Sequence, residues 1–257
     1  MASVTAPIAR HVEDRVYVVL AGLCAAIAFA GFAGTYWLQI AAGTFSGAPL
    51  LHLHGLLFSA WTLFFVAQAS LIANRRYTHH RAWGLAGIAL ATAMLFTGAA
   101  VAIGGLQSRI AHGQGAAGRA FVIVPLSAIL LFAIFVTAAM VNRRRADWHK
   151  RFMLVGTAAL LNAAIARFFF LAATGGGPGM RPGVGPPLPV ESALVAGLLA
   201  DTVIVLGMLF DWRTRGRPHP AYMWGLGVVL AIQFLRDPLS ATAGWSAFAD
   251  YLAHFAG

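Results

Sequence analysis

Apolar residues along this chain come in long blocks, and polar residues come in short clusters between them. Seven apolar runs stand out, at about 16–40, 51–73, 82–103, 120–141, 152–173, 190–210 and 221–237. Each is close to the ~20 residues that a helix needs to cross the hydrocarbon of a bilayer. The pattern predicts an all-α polytopic membrane protein, one transmembrane domain of seven helices. The segment at about 239–256 places Trp245, Phe248, Leu252 and Phe255 on one stripe, the spacing of a short amphipathic helix in the membrane interface. Two Gly-rich stretches read as loops, Gly104–Gly118 and the TGGGPGMRPGVGPPLP segment at 174–189, which is expected to fold over the mouth of the bundle.

Composition agrees: of 257 residues 60% are hydrophobic and 10% charged, where a soluble domain carries about 25% charged residues. The 18 Lys and Arg residues are unevenly placed. The N-terminal lead and the turns after runs two, four and six hold 13 of them: Arg10, Arg15, Arg75, Arg76, Arg81, Arg143, Arg144, Arg145, Lys150, Arg151, Arg213, Arg215 and Arg217. The opposite loops hold Arg109, Arg119 and Arg181. The positive-inside rule then predicts a cytoplasmic N-terminus and a periplasmic C-terminus. The basic residues fall in short clusters between apolar runs, so nucleic acid is not an expected partner. The one cysteine, Cys24, allows no internal disulfide.

The three basic turns resemble one another: NRRYTHHRAWGLAG from Asn74, NRRRADWHKRFMLVG from Asn142 and DWRTRGRPHPAYMWGLG from Asp211. His80, His149 and His219 hold matching places. The expectation is one leading helix followed by three repeated helical hairpins, a scheme that commonly surrounds a central site.

Polar residues inside apolar runs are costly and therefore informative. His54, Trp61 and Gln68 share one helical face. With Asn162, Arg167, Asp201, Gln233 and Arg236 they suggest a polar pocket open to the outer side. Asp201 is about 16 Å and Arg167 about 10 Å from the outer end of its run at the helical rise. Consecutive helices are usually neighbours, so Asp201 and Arg167 are expected to pair. The bland alternative is that such a pair locks two helices and binds nothing.

Imidazole suits zinc, copper and iron, so His52 and His54 are weak candidates for a metal site if the chain after Pro49 is extended. His80, His149 and His219 are candidate axial ligands of haem b. A simpler reading makes them boundary residues that cap helix starts. Retinal chemistry is excluded by the lack of a lysine in run seven, and no phosphate loop or Ser–His–Asp spacing occurs.

The blocks HLHGLLFSAW, HHRAWGLAG, DWHKRFML, RPHPAYMWG and QFLRDPLSATAGWSAF resemble a widespread, uncharacterised family of bacterial seven-span inner-membrane proteins, from about Leu51 onward. That resemblance implies the fold and no activity. A looser similarity to b-type cytochromes rests on histidines at helix ends. The expected role is to hold a small ligand or redox cofactor, haem or a transition metal, in the outward pocket. The alternatives are a small-molecule transporter using Asp201 and Arg167, and a structural or assembly partner of a membrane complex. Whether the chain is an enzyme is left open.

Overall fold

The computed structural model describes residues 5–180, 182 and 189–255. Arg181 and most of the Gly–Pro-rich segment lie outside them, as does the side chain of Phe255. Among the described residues every regular element is helical. We number the elements α1 (Thr5–Phe32, continued by a π turn at Ala33–Trp37 and a last turn at Leu38–Ala41), α2 (Pro49–Ala73), α3 (Tyr77–Ala111), α4 (Gly115–Val141), α5 (Ala146–Thr174), α6 (Ser192–Arg215), α7 (Pro220–Ser240) and α8 (Ala243–Phe255). Six of them, α1 to α6, are long and apolar enough to cross a membrane. Helix α7 has 21 residues, but Arg236 and Asp237 cut its apolar run short. Large apolar side chains point outward all round the bundle, among them Val19, Leu85, Phe96, Val141 and Phe234. On a chain this apolar they are the surface that meets lipid.

Helix α5 is the axis of the bundle. It buries 61% of its central window, against 44% or less for the other five apolar helices. Its path depends on small residues in its neighbours. A Cβ on Gly31 of α1 would lie 2.3 Å from the Ala164 carbonyl oxygen, so only glycine lets the two backbones approach this closely. Helix α5 breaks its regular pattern at Leu160, and the Asn162 side chain just beyond donates to the Ala193 carbonyl of α6 at 3.2 Å. Helix α4 has a comparable irregularity at Val122. Pro125 lacks the N–H that the Phe121 carbonyl would need.

The Gly104–Gly118 segment is not a loop. Helix α3 runs on through Gly104 and Gly105 to Ala111, and α4 starts at Gly115. Glycine costs about 1 kcal/mol in a helix interior, but Leu106 and Ala102 are buried beneath α8, and that packing outweighs the propensity. Helix α8 also departs from the amphipathic stripe read from the sequence. Its docked face is Trp245, Ala249 and Ala253, with Phe248 exposed. The Trp245 indole donates to the Arg119 carbonyl (2.7 Å), Arg119 pairs with Asp250 (2.6 Å), and Gln107 donates to the Ala253 carbonyl (2.8 Å). Helix α8 is therefore a clamp on the ends of α3 and α4, because its polar contacts and small residues face protein.

Candidate functional site

Polar side chains gather at two levels of the bundle. At the end carrying the basic turns, Arg151 of α5 is wholly buried beside Asp211 of α6, both side chains 0% exposed. The guanidinium donates to both carboxylate oxygens, Nε to Oδ2 at 2.8 Å and Nη2 to Oδ1 at 2.5 Å. Its remaining donors reach the Asp147 carbonyl (2.8 Å) and Glu13 of α1 (3.0 Å). Lys150 and Arg215 also pair with Glu13, at 2.8 and 2.7 Å. Asp211 accepts the His219 backbone N–H at 3.1 Å. Above the guanidinium the Tyr17 and Tyr222 hydroxyls bond to each other at 2.9 Å, with the cation 5.6 Å from the Tyr222 ring centre. Gly207 makes room for that tyrosine, since a Cβ there would lie 2.4 Å from its hydroxyl. Every donor of Arg151 is answered, which is the condition under which a buried charge is tolerated.

Toward the other end the pattern reverses. Asp201 of α6 is 3% exposed, and neither of its carboxylate oxygens has a hydrogen-bond partner. The Gln233 amide of α7 is near enough for a weak hydrogen bond to it, and Arg236, one turn further on, adds its positive field. No hydrogen bond of ordinary geometry and no ion pair joins these groups. Gln233 fits against α6 because Gly197 has no side chain: a Cβ there would lie 2.9 Å from the amide carbon. Arg236 is anchored by its Nε to the Ser127 hydroxyl of α4 at 2.8 Å. Its Nη1 and the Gln233 Oε1 are buried and unanswered. Acid, amide and guanidinium thus converge from α6 and α7 with part of their hydrogen-bonding capacity unspent.

Arg167 is not the partner of Asp201. It donates to the Ala163 carbonyl of its own helix at 2.5 Å and lies 3.8 Å over the Phe32 ring of α1. His54 of α2 lies within reach of its charge. The single pocket expected from the sequence is therefore split. Asp201, Gln233 and Arg236 form one group. His54 and Arg167 form another between α2 and α5, with His54 stacked 4.0 Å from Phe58. Asn162 is spent on the Ala193 carbonyl. Gln68, also buried, belongs to the basic end, where its backbone meets His80. A metal on His52 and His54 is not supported by the local geometry. Helix α2 begins at Pro49, so the two rings diverge by roughly 200°, and the His52 ring bonds to the Tyr36 hydroxyl at 3.2 Å.

The three turn histidines have different surroundings. His219 is the N-cap of α7, its Nδ1 accepting from the Ala221 N–H at 3.1 Å, and it packs edge-on to Trp148. That is the boundary role, and it leaves His219 outside a ligand set with the other two. His80 and His149 instead face each other, ring centres 6.3 Å apart.

The basic-end network has no counterpart in the reading from sequence, which used Arg151 and Arg215 only as charges that set the orientation. A signal was present: of eight acidic residues, Glu13, Asp147 and Asp211 sit beside the most basic segments. No family model, curated protein or solved structure matches this chain.

The network makes a stability prediction. Arg151→Gln should destabilise the detergent-solubilised protein by about 3–5 kcal/mol, since it leaves Asp211 buried without its partner. Arg151→Met combined with Asp211→Leu should recover most of that loss, because Glu13 keeps Lys150 and Arg215. Thermal unfolding of the three variants checks both. A single-variant loss below ~1 kcal/mol would remove the network from the account.

Proposed function

We propose that this integral membrane protein binds a small polar ligand carrying both charge signs, or both donor and acceptor groups, between Asp201 of α6 and Arg236 of α7. The observation that supports this is the unpartnered state of the buried Asp201 carboxylate beside an unanswered Gln233 Oε1 and Arg236 Nη1. A carboxylate at such depth is expensive unless something answers it. A ligand cation or donor would meet Asp201, its anionic or acceptor end would meet Arg236, and Gln233 would serve either. Ser127 holds the guanidinium in place, and Gly197 keeps the amide close to the acid. Translocation of that ligand is the natural extension, because the group lies between two helices and away from the fully locked end.

In this reading α7 is the seventh crossing. Its start is tied to the basic end through His219 and Asp211, and its end leads into α8, which is clamped to the far ends of α3 and α4. Its 21 residues give about 31 Å of helix, enough to cross. The basic end is cytoplasmic and the ligand site belongs to the periplasmic half of an inner membrane.

Two experiments test the proposal. Purified protein is screened by thermal shift against small zwitterions and neutral polar solutes. A ligand at about 100 times its Kd stabilises by about 2.7 kcal/mol, and this shift should vanish in both Asp201→Asn and Arg236→Gln. A ligand whose shift survives in both variants binds elsewhere and would refute the site. For topology, a phosphatase reporter after Gly257 should be active and one after Arg145 inactive; equal activity at both points would rule out a seventh crossing.

A further inference from the structure

The His80–His149 pair lies apart from the Asp201 group, at the basic end. His80 is one turn into α3 and His149 in the first turn of α5. Their ring centres are 6.3 Å apart and their planes meet at 84°. Each ring is held differently. His149 Nδ1 bonds to the Ala139 carbonyl of α4 at 2.9 Å. Since a carbonyl only accepts, Nδ1 carries the proton and Nε2 keeps its lone pair, the arrangement typical of a metal-ligating histidine. The His80 ring takes a hydrogen bond with the Gln68 backbone, while its Nδ1 is buried with no partner of ordinary hydrogen-bond geometry.

From these observations we propose that His80 and His149 are the two imidazole ligands of one transition-metal centre, placed on opposite sides of the metal. The spacing selects the geometry. With metal–nitrogen bonds of about 2.0–2.1 Å, each ring centre lies about 3.2 Å from the metal. Two rings at a tetrahedral angle would then be about 5 Å apart, and two rings on opposite sides about 6.4 Å. The observed separation of 6.3 Å lies near the second value. Opposed imidazoles are the axial pair of a haem iron or the ligands of a two-coordinate Cu(I) ion, since imidazole suits both metals. Tetrahedral zinc does not fit.

The test uses the full chain, purified in detergent and stripped of metal, titrated separately with haemin, Cu(I) and Zn(II). The expected result is stoichiometric binding of haemin with the absorption spectrum of six-coordinate low-spin iron, or stoichiometric binding of Cu(I). His80→Ala and His149→Ala should each weaken it by about tenfold or more, while His219→Ala binds like the parent. With haemin, each single variant should give a five-coordinate high-spin spectrum that added imidazole returns to low spin. This rescue requires a folded site, so it separates ligand loss from misfolding. For Cu(I), His80→Asn and His149→Asn of unchanged elution volume and helicity make the same separation. The haemin and Cu(I) arms distinguish the two sources. Failure to hold either one, tight binding of Zn(II) alone, or binding unchanged in both histidine variants would overturn the proposal.

Discussion

The buried Arg151–Asp211 pair is the constraint from which the rest of the bundle takes its register. It fixes α5 against α6 at one end, and through Glu13 and the Tyr17–Tyr222 hydroxyl bond it brings in α1 and α7. A guanidinium with every donor answered tolerates almost no displacement, so four helices share one reference point. The orientation of Asp201 follows. It lies about ten residues before Asp211 on α6, and ten steps of a 3.6-residue helix fall roughly 80° short of whole turns. With Asp211 turned to α5, Asp201 is turned well away from it, toward α7. That is why Asp201 meets Gln233 and Arg236 and why Arg167, on α5, finds Phe32 and its own backbone instead.

The two ends of the molecule thus treat charge in opposite ways. At the basic end, ionic groups saturate one another, and the helices are locked. In the other half, Asp201, Gln233 and Arg236 face one another with donors and acceptors left over. Such a division suits a protein that keeps one end rigid and exchanges partners at the other.

Much of the architecture was legible in the sequence because helix length and apolar composition are local properties. The six apolar helices, the tight basic turns and the inward face of Trp61 all follow from them; Trp61 is 2% exposed and donates to Thr157. Pairing is not local. The expectation that Asp201 meets Arg167 used depth and chain order and lacked the rotation of α6. The helical path of Gly104–Ala111 is not legible because α8, remote in sequence, covers it. Arg151 was hidden among basic residues that do meet water or headgroups, and only the three nearby acids marked it out. The turn histidines looked equivalent in sequence, yet one caps a helix and the other two converge.

The central claim is that the two aspartates of α6 have opposite duties, Asp211 structural and Asp201 reserved for a ligand. The most direct measurement is the thermal stability of Asp211→Asn and Asp201→Asn side by side in the same detergent. The substitution is identical in chemistry and on the same helix. The account predicts that Asp211→Asn lowers stability by about 3–5 kcal/mol, as expected for breaking a buried pair. It predicts that Asp201→Asn keeps or raises stability, since it removes an unpartnered buried charge. A comparable loss in both would contradict the account and make Asp201 a second structural lock.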